Sequence, residues 1–166
     1  MATQLLVSLE EYLRTSFEHD REYVRGELVE RGMPTFLHGQ TQMRIGVAVE
    51  SARLHGADLH AASEVRNRLA EDVFRIPDVA IYSPRPAGPI PSVPPLAVVE
   101  IISPDDRYSA LIEKCREYLA WGVAHIWIVD PQNRALYEFD DGSLKRLPAL
   151  ELPQHGLSIP ANSLFD

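Results

Sequence analysis

The sequence predicts an α/β fold of the mixed α+β kind, with a central mixed β-sheet flanked by helices, in one domain spanning residues 1–166. Three observations point there. First, an apolar segment, a helical stripe and a second apolar segment follow one another between residues 96 and 130, as in two parallel strands joined by a crossover helix. Second, residues 57–83 alternate and are rich in β-branched side chains, which adds strands upstream of that unit. Third, 166 residues with 45% hydrophobic and 24% charged content can build one core without disulfide staples. The same figures exclude wholesale disorder, a collagen-like repeat and a coiled-coil rod.

The elements follow in order. Ser8 and Glu11 form a capping box, and Leu9, Tyr12, Leu13 and Phe17 fall at near-helical spacing, predicting a short helix over 9–18. Residues 21–31 read as two short strands around Gly26. A longer helix is predicted over 37–54. Its apolar positions Met43, Ile45, Val47 and Val49 also alternate, so its length and the stop at His55-Gly56 decide for helix. Strands are expected at 58–63, 66–74 and 78–83. Six prolines between residues 84 and 95 then exclude both helix and central strand, leaving an extended loop.

Leu96 to Ile102 is apolar on both faces, which suits a strand covered on both sides. Ser103-Pro104-Asp105-Asp106 caps a helix that runs to Trp121 and stops at Gly122, with Tyr108, Leu111, Ile112, Cys115, Tyr118 and Leu119 as its buried stripe. His125 to Asp130 is the second buried strand, a hairpin turning at Asp141-Gly142 joins 134–139 to 143–147, and the tail reads as irregular.

Lys and Arg number 16 against 24 Asp and Glu, a net charge of −8. A negative body repels phosphate backbones at long range, so any role with nucleic acid must rest on a local site. A lone cysteine, Cys115, forbids an intramolecular disulfide and reads as a core filler in a reducing compartment. No apolar run approaches the roughly 18 residues of a membrane span. The opening MATQLLVSLEEYLRTS lacks a basic region and turns acidic early, unlike a signal peptide, so the expected location is cytoplasmic. There is no P-loop, no GxGxxG, no nucleophile elbow and no zinc-ligand spacing among the histidines. Arg53, Arg66, Arg68 and Arg75 are either a phosphate track or ordinary surface charges.

Two carboxylates stand out. Glu100 lies in the middle of VVEII, and Asp78 stands at the mouth of the apolar strand Val79-Ala80-Ile81-Tyr82. A buried carboxylate costs several kcal/mol unless it is paired or ligates a cation. Each is explained alone by a salt bridge or a strand end; on neighbouring strands the two together form an oxygen-rich site for Mg²⁺ or Mn²⁺. Lys114 sits beside the apolar stripe of the crossover helix, either as a solvated lysine or leaning over the strand that carries Glu100, and Tyr118 shares its face.

Arg75-Ile76-Pro77-Asp78, Val98 to Asp106, Glu113 to Leu119 and Trp127 to Pro131 together resemble the Uma-type group of restriction endonucleases, within the PD-(D/E)XK nuclease superfamily. The resemblance extends to Tyr23 through Glu30, to His38 and to Gly156 through Pro160, in order along nearly the whole chain. It implies a restriction-endonuclease-like core, DNA as substrate, a homodimer, and Asp78 and Glu100 as ligands of Mg²⁺ or Mn²⁺. The superfamily pattern places a lysine two residues after the acid, where this chain has Ile102. The resemblance implies that the lysine's role has moved to Lys114. It also implies Glu27 as a third carboxylate and His38 as a base or phosphate contact. The expected function is therefore metal-dependent endonuclease cleavage of DNA. The alternatives are a nuclease fold that binds without cutting, and a hydrolase of small phosphorylated metabolites.

Overall fold

A computed structural model describes residues 6–165. Residues 1–5, on which part of the signal-peptide argument rests, lie outside the described residues. The elements are α1 (Leu9–Arg14), β1 (Arg21–Val24), β2 (Glu27–Glu30), α2 (Phe36–Leu54), β3 (His60–Ser63), β4 (Asn67–Ala70), β5 (Val73–Arg75), β6 (Val79–Tyr82), β7 (Ala97–Ile101), α3 (Tyr108–Trp121), β8 (His125–Asp130), β9 (Ala135–Asp140), β10 (Ser143–Leu147), β11 (Ala149–Leu152), β12 (Leu157–Pro160) and α4 (Ala161–Phe165).

The central sheet has six strands in the order β10-β9-β8-β7-β6-β3. Only β7 and β8 pair in parallel, across the α3 crossover; the other neighbours are antiparallel, so the sheet is mixed. Strand alternation sorts β7 cleanly. Ala97, Val99 and Ile101 join a core with Ile45 and Val49 of α2, while Val98 and Ile102 face Cys115 and Tyr118 of α3. Glu100 shares the parity of Val98 and Ile102 and therefore points to the α3 side. A second, four-stranded sheet, β2-β1-β5-β4, has its own cluster of Tyr12, Tyr23 and Phe74. The segment Ile76-Pro77-Asp78 carries the chain from β5 of this small sheet to β6 of the central one.

Four expectations change. The first helix ends at Arg14, because Thr15 is already extended and its hydroxyl donates to the carbonyl of Glu11; Phe17 instead packs against the Tyr12 ring. The single strand expected over 66–74 is a hairpin, β4 and β5, broken at Glu71-Asp72 and belonging to the small sheet. Asp106 does not cap α3: its carboxylate accepts the backbone N–H of Ser103 at 2.6 Å, closing a turn, and the helix starts after Arg107. The tail is ordered as a β11–β12 hairpin and α4, because Leu150, Leu152, Leu157 and Ile159 alternate into the α2-side core. The proline-rich stretch is a loop, as its composition demands.

Among the described residues no helix is long and apolar enough to cross a membrane.

Candidate active site

A cleft of roughly 390 Å³ opens where the two sheets meet under the start of α3. Asp78, Glu100, Lys114 and His38 all line it, joined by Glu22, Arg31 and Arg75. The register of β6 against β7, Val79 opposite Val99 and Ala80 opposite Val98, continues by one residue to set Asp78 opposite Glu100. The backbone N–H of Ile101 donates to Asp78 Oδ2 at 2.7 Å, which ties the two strands at this point.

Lys114 is the hub. Its ammonium lies 2.7 Å from Glu22 Oε1 and 2.9 Å from Glu100, and it donates to the carbonyl of Ile76 at 3.2 Å. An ammonium has three protons, and all three are engaged. Burial alone would depress this lysine, but Glu100 and Glu22 more than reverse that and hold it charged. Ile102, where the superfamily pattern has lysine, instead packs against the α3-side core. Lysine there would bury its stem among Val98, Cys115 and Tyr118.

Glu100 and Glu22 share Lys114 and behave oppositely. Burial pushes the Glu100 carboxyl up to about 7; Lys114 offsets part of this, while Asp78 and Glu22 add to it. Its second donor, the Tyr118 hydroxyl at 2.8 Å, carries no charge. Glu22 is equally buried, yet Lys114 and Arg75 overcome the burial and hold it below the ordinary carboxylate range. Arg75 reaches Glu22 Oε2 at 2.8 Å and the backbone N–H of Ile76 donates to Oε1 at 2.8 Å. Arg75 then continues to Glu117 of α3 at 2.6 Å. It is thus an internal tie between β1, β5 and α3 and no part of a surface phosphate track. Arg66 and Arg68 lie over Tyr12 and Phe74, and Arg53 pairs with Glu50.

Asp78 occupies the other corner. Arg31 Nη2 meets its Oδ1 at 2.9 Å and His38 Nε2 stands 3.3 Å from its Oδ2. Burial would raise this carboxyl, but His38 and Lys114 bring it below its usual value. Asp78 in turn makes His38 more basic, against the opposite pull of burial. Thr35 caps α2 by accepting the N–H of His38, which fixes the histidine in the first helical turn. His38 Nδ1 is buried with no hydrogen-bond partner among the described residues.

Glu27 is not brought to this cleft. It pairs with Val24 at the tip of the β1–β2 hairpin, beside the Arg25-Gly26 turn, while the cleft is lined from the hairpin's open end by Glu22, Val29 and Glu30. Glu22, which the sequence reading did not single out, is the third carboxylate present. Cys115, next to Lys114 in sequence, is fully buried, and burial pushes its thiol up to about 12. Among the described residues no three His, Cys, Asp or Glu side chains cluster tightly enough to enclose a metal by themselves.

Residues 9–163 match the family model described as "Uma2: Putative restriction endonuclease". The chain belongs to this family. A crystal structure of "a putative nuclease belonging to DUF820" from Anabaena variabilis ATCC 29413 superposes with a TM-score of 0.82 and 21% identity, covering 96% of this chain and 97% of that one. That likeness shows the same fold. A DrdV–DNA complex aligns at a TM-score of 0.38 and 16% identity, over 71% of this chain and 10% of that chain. No curated protein matches the chain. Of the segments that carried the resemblance, those with Asp78, Glu100 and Lys114 line the cleft, whereas Trp127 to Pro131 and Gly156 to Pro160 do not.

Proposed function

We propose that this Uma2-family chain is a metal-dependent endonuclease that hydrolyses phosphodiester bonds in DNA, with Asp78 and Glu100 holding Mg²⁺ or Mn²⁺ and Lys114 in the role of the displaced motif lysine. One observation carries the reading: Asp78 stands opposite Glu100 on neighbouring strands, with the Lys114 ammonium against Glu100. The donor set fits a hard cation. Burial, with Asp78 and Glu22 nearby, makes the Glu100 anion costly, and a divalent cation relieves that cost. Two carboxylates leave the remaining positions to water and phosphate oxygens, as Mg²⁺ usually has them.

When bound, the cation polarises a phosphate oxygen and acidifies a water. The chain's own residues supply the rest. Lys114, held charged and seated by Glu22 and the Ile76 carbonyl, would present a positive charge where negative charge develops on the phosphate. Glu22, gripped by Arg75 and the Ile76 N–H, would keep the ammonium seated with Glu100 serving as a metal ligand. Glu22 thereby takes the third-carboxylate place expected of Glu27. His38 holds Asp78 in position and lies in the cleft wall as a phosphate contact. In the same reading the protein works in the cytoplasm as a homodimer, since one cleft cuts one strand.

A second reading, a nuclease fold that binds without cutting, is favoured by the partners already on both acids: Arg31 and His38 on Asp78, Lys114 and Tyr118 on Glu100. Supercoiled plasmid separates the two. Nicking with Mg²⁺ or Mn²⁺ that is lost in EDTA and in the Asp78→Ala/Glu100→Ala variant is the expected result. No cleavage by folded protein with either metal selects the binding module, and cleavage by the double variant overturns the residue assignment.

A further inference from the structure

The sheet-facing side of α2 is apolar, as Ile45 and Val49 require, but its opposite side is apolar too. Phe36, Met43, Val47 and Leu54 are 85%, 72%, 63% and 71% exposed. At 100° per residue these four positions fall within about 20° of a single line along the helix. They present roughly 500 Å² of apolar surface, the size of the largest patch on a typical monomer, against about 800 Å² per partner in a standard interface.

Two glycines flank the same stripe. A Cβ at Gly39 or Gly46 would meet nothing within 4 Å, so nothing among the described residues requires glycine there. Each costs the helix about 1 kcal/mol relative to alanine. A backbone that approaches closely from outside gives that cost a reason. The intervals in Phe36, Met43, Val47 and Leu54 are seven, four and seven residues, which read the same from either end. Such a row suits an isologous antiparallel pair: with the two-fold axis crossing the helix at the level of Ile45, Phe36 meets Leu54 of the other copy and Met43 meets Val47. The adjacent charges, Glu50 and Arg53, neutralise one another within the chain, so the stripe carries little of the net negative charge.

We propose that the outward face of α2 is where two copies of this chain pair, helix against helix and antiparallel. The inference is independent of the chemistry of the cleft. It sets the two clefts at opposite ends of the helix pair, since His38 lies in the first turn of a helix that spans about 27 Å.

Sedimentation of the full chain at micromolar concentration tests it. The wild type is expected to be a dimer. Met43→Glu/Val47→Glu, which sets acid against acid, raises the dissociation constant at least about 30-fold, as loss of central interface residues does. Met43→Lys/Val47→Glu sets opposite charges face to face only in the antiparallel pairing and dissociates less. Circular dichroism verifies the helix in each variant. Gly46→Leu, whose side chain enters open space in the single copy, weakens the dimer if the acidic variant does not fold. A monomeric wild type, or a dimer that survives in both the acidic variant and Gly46→Leu, overturns the proposal. Equal dissociation of the two charged variants overturns the antiparallel register.

Discussion

The helices α2 and α3 cover opposite faces of one sheet and spend their residues in opposite ways. α3 turns Lys114 and Tyr118 inward among apolar neighbours, so its buried side carries the charge. α2 turns Ile45 and Val49 inward, makes its polar contacts with His38 and Gln42 near the cleft and with Arg44 on the Leu164 carbonyl, and leaves an apolar stripe outside. A buried polar group makes sense only as a member of a matched set, whereas the exposed apolar row of α2 is left uncovered by the described residues. The first pattern marks chemistry and the second marks a surface.

The largest expected effect lies on α3. Lys114→Met leaves Glu22 and Glu100 buried without their shared cation and is expected to cost about 3–5 kcal/mol in urea unfolding. It is also expected to lower plasmid nicking at least about 100-fold, the scale of losing one preorganised electrostatic group. A neutral unfolding result would erase the contrast, because Lys114 would then be an ordinary surface residue.

α2 offers the next test within a single helix. Ile45→Ala is expected to cost about 2–5 kcal/mol by opening a cavity. Met43→Ala, two residues away, is expected to change unfolding by no more than about 0.5 kcal/mol at concentrations where copies are separate. Similar losses at both positions would mean that α2 buries both sides within the chain.

The third test is pH. The Glu100 carboxyl is raised from 4.5 to about 7 in the folded chain, so the native state binds the extra proton across that window. Stability contributed by this group is therefore present below about 4.5 and falls as pH rises toward 7, by on the order of 3 kcal/mol. Unfolding measured from pH 5 to pH 8 should slope downward from this group, and Glu100→Gln should flatten that slope. An unchanged slope would show that Lys114 fully compensates the Glu100 anion.

Tyr118→Phe gives the smallest change, about 1 kcal/mol for one lost hydrogen bond. Without that donor the Glu100 anion is less favoured, so the midpoint of its titration moves upward, as side-chain NMR of Glu100 would read. A downward movement would contradict the hydroxyl's role as donor.

Much of this was legible in the sequence where the signal was local. The β7-α3-β8 crossover, the α2 boundaries and the hairpin at Asp141-Gly142 follow from period, caps and turn residues within a short window. Glu100 announced itself because every neighbour was apolar. Glu22 did not, since in REYVRGELVE it resembles Glu27; what separates them is Arg75, 53 residues away, and the hairpin end that faces the cleft. The alternation of Met43, Ile45, Val47 and Val49 blurred the helical period for a physical reason: those positions serve two opposite faces of α2. The tail looked irregular because Pro153 and Gly156 interrupt an alternation that resumes on either side of a short 3₁₀ turn.

The sole sulfhydryl of the chain has a practical consequence. Sealed in the core beneath α3 and held almost wholly as the thiol, Cys115 offers little to alkylating or oxidising reagents. The native sequence is therefore a silent background for maleimide and spin-label chemistry. A single cysteine placed on the outer row of α2 would be the one reactive handle, and the distance between two such labels could be read without first removing anything that nature put there.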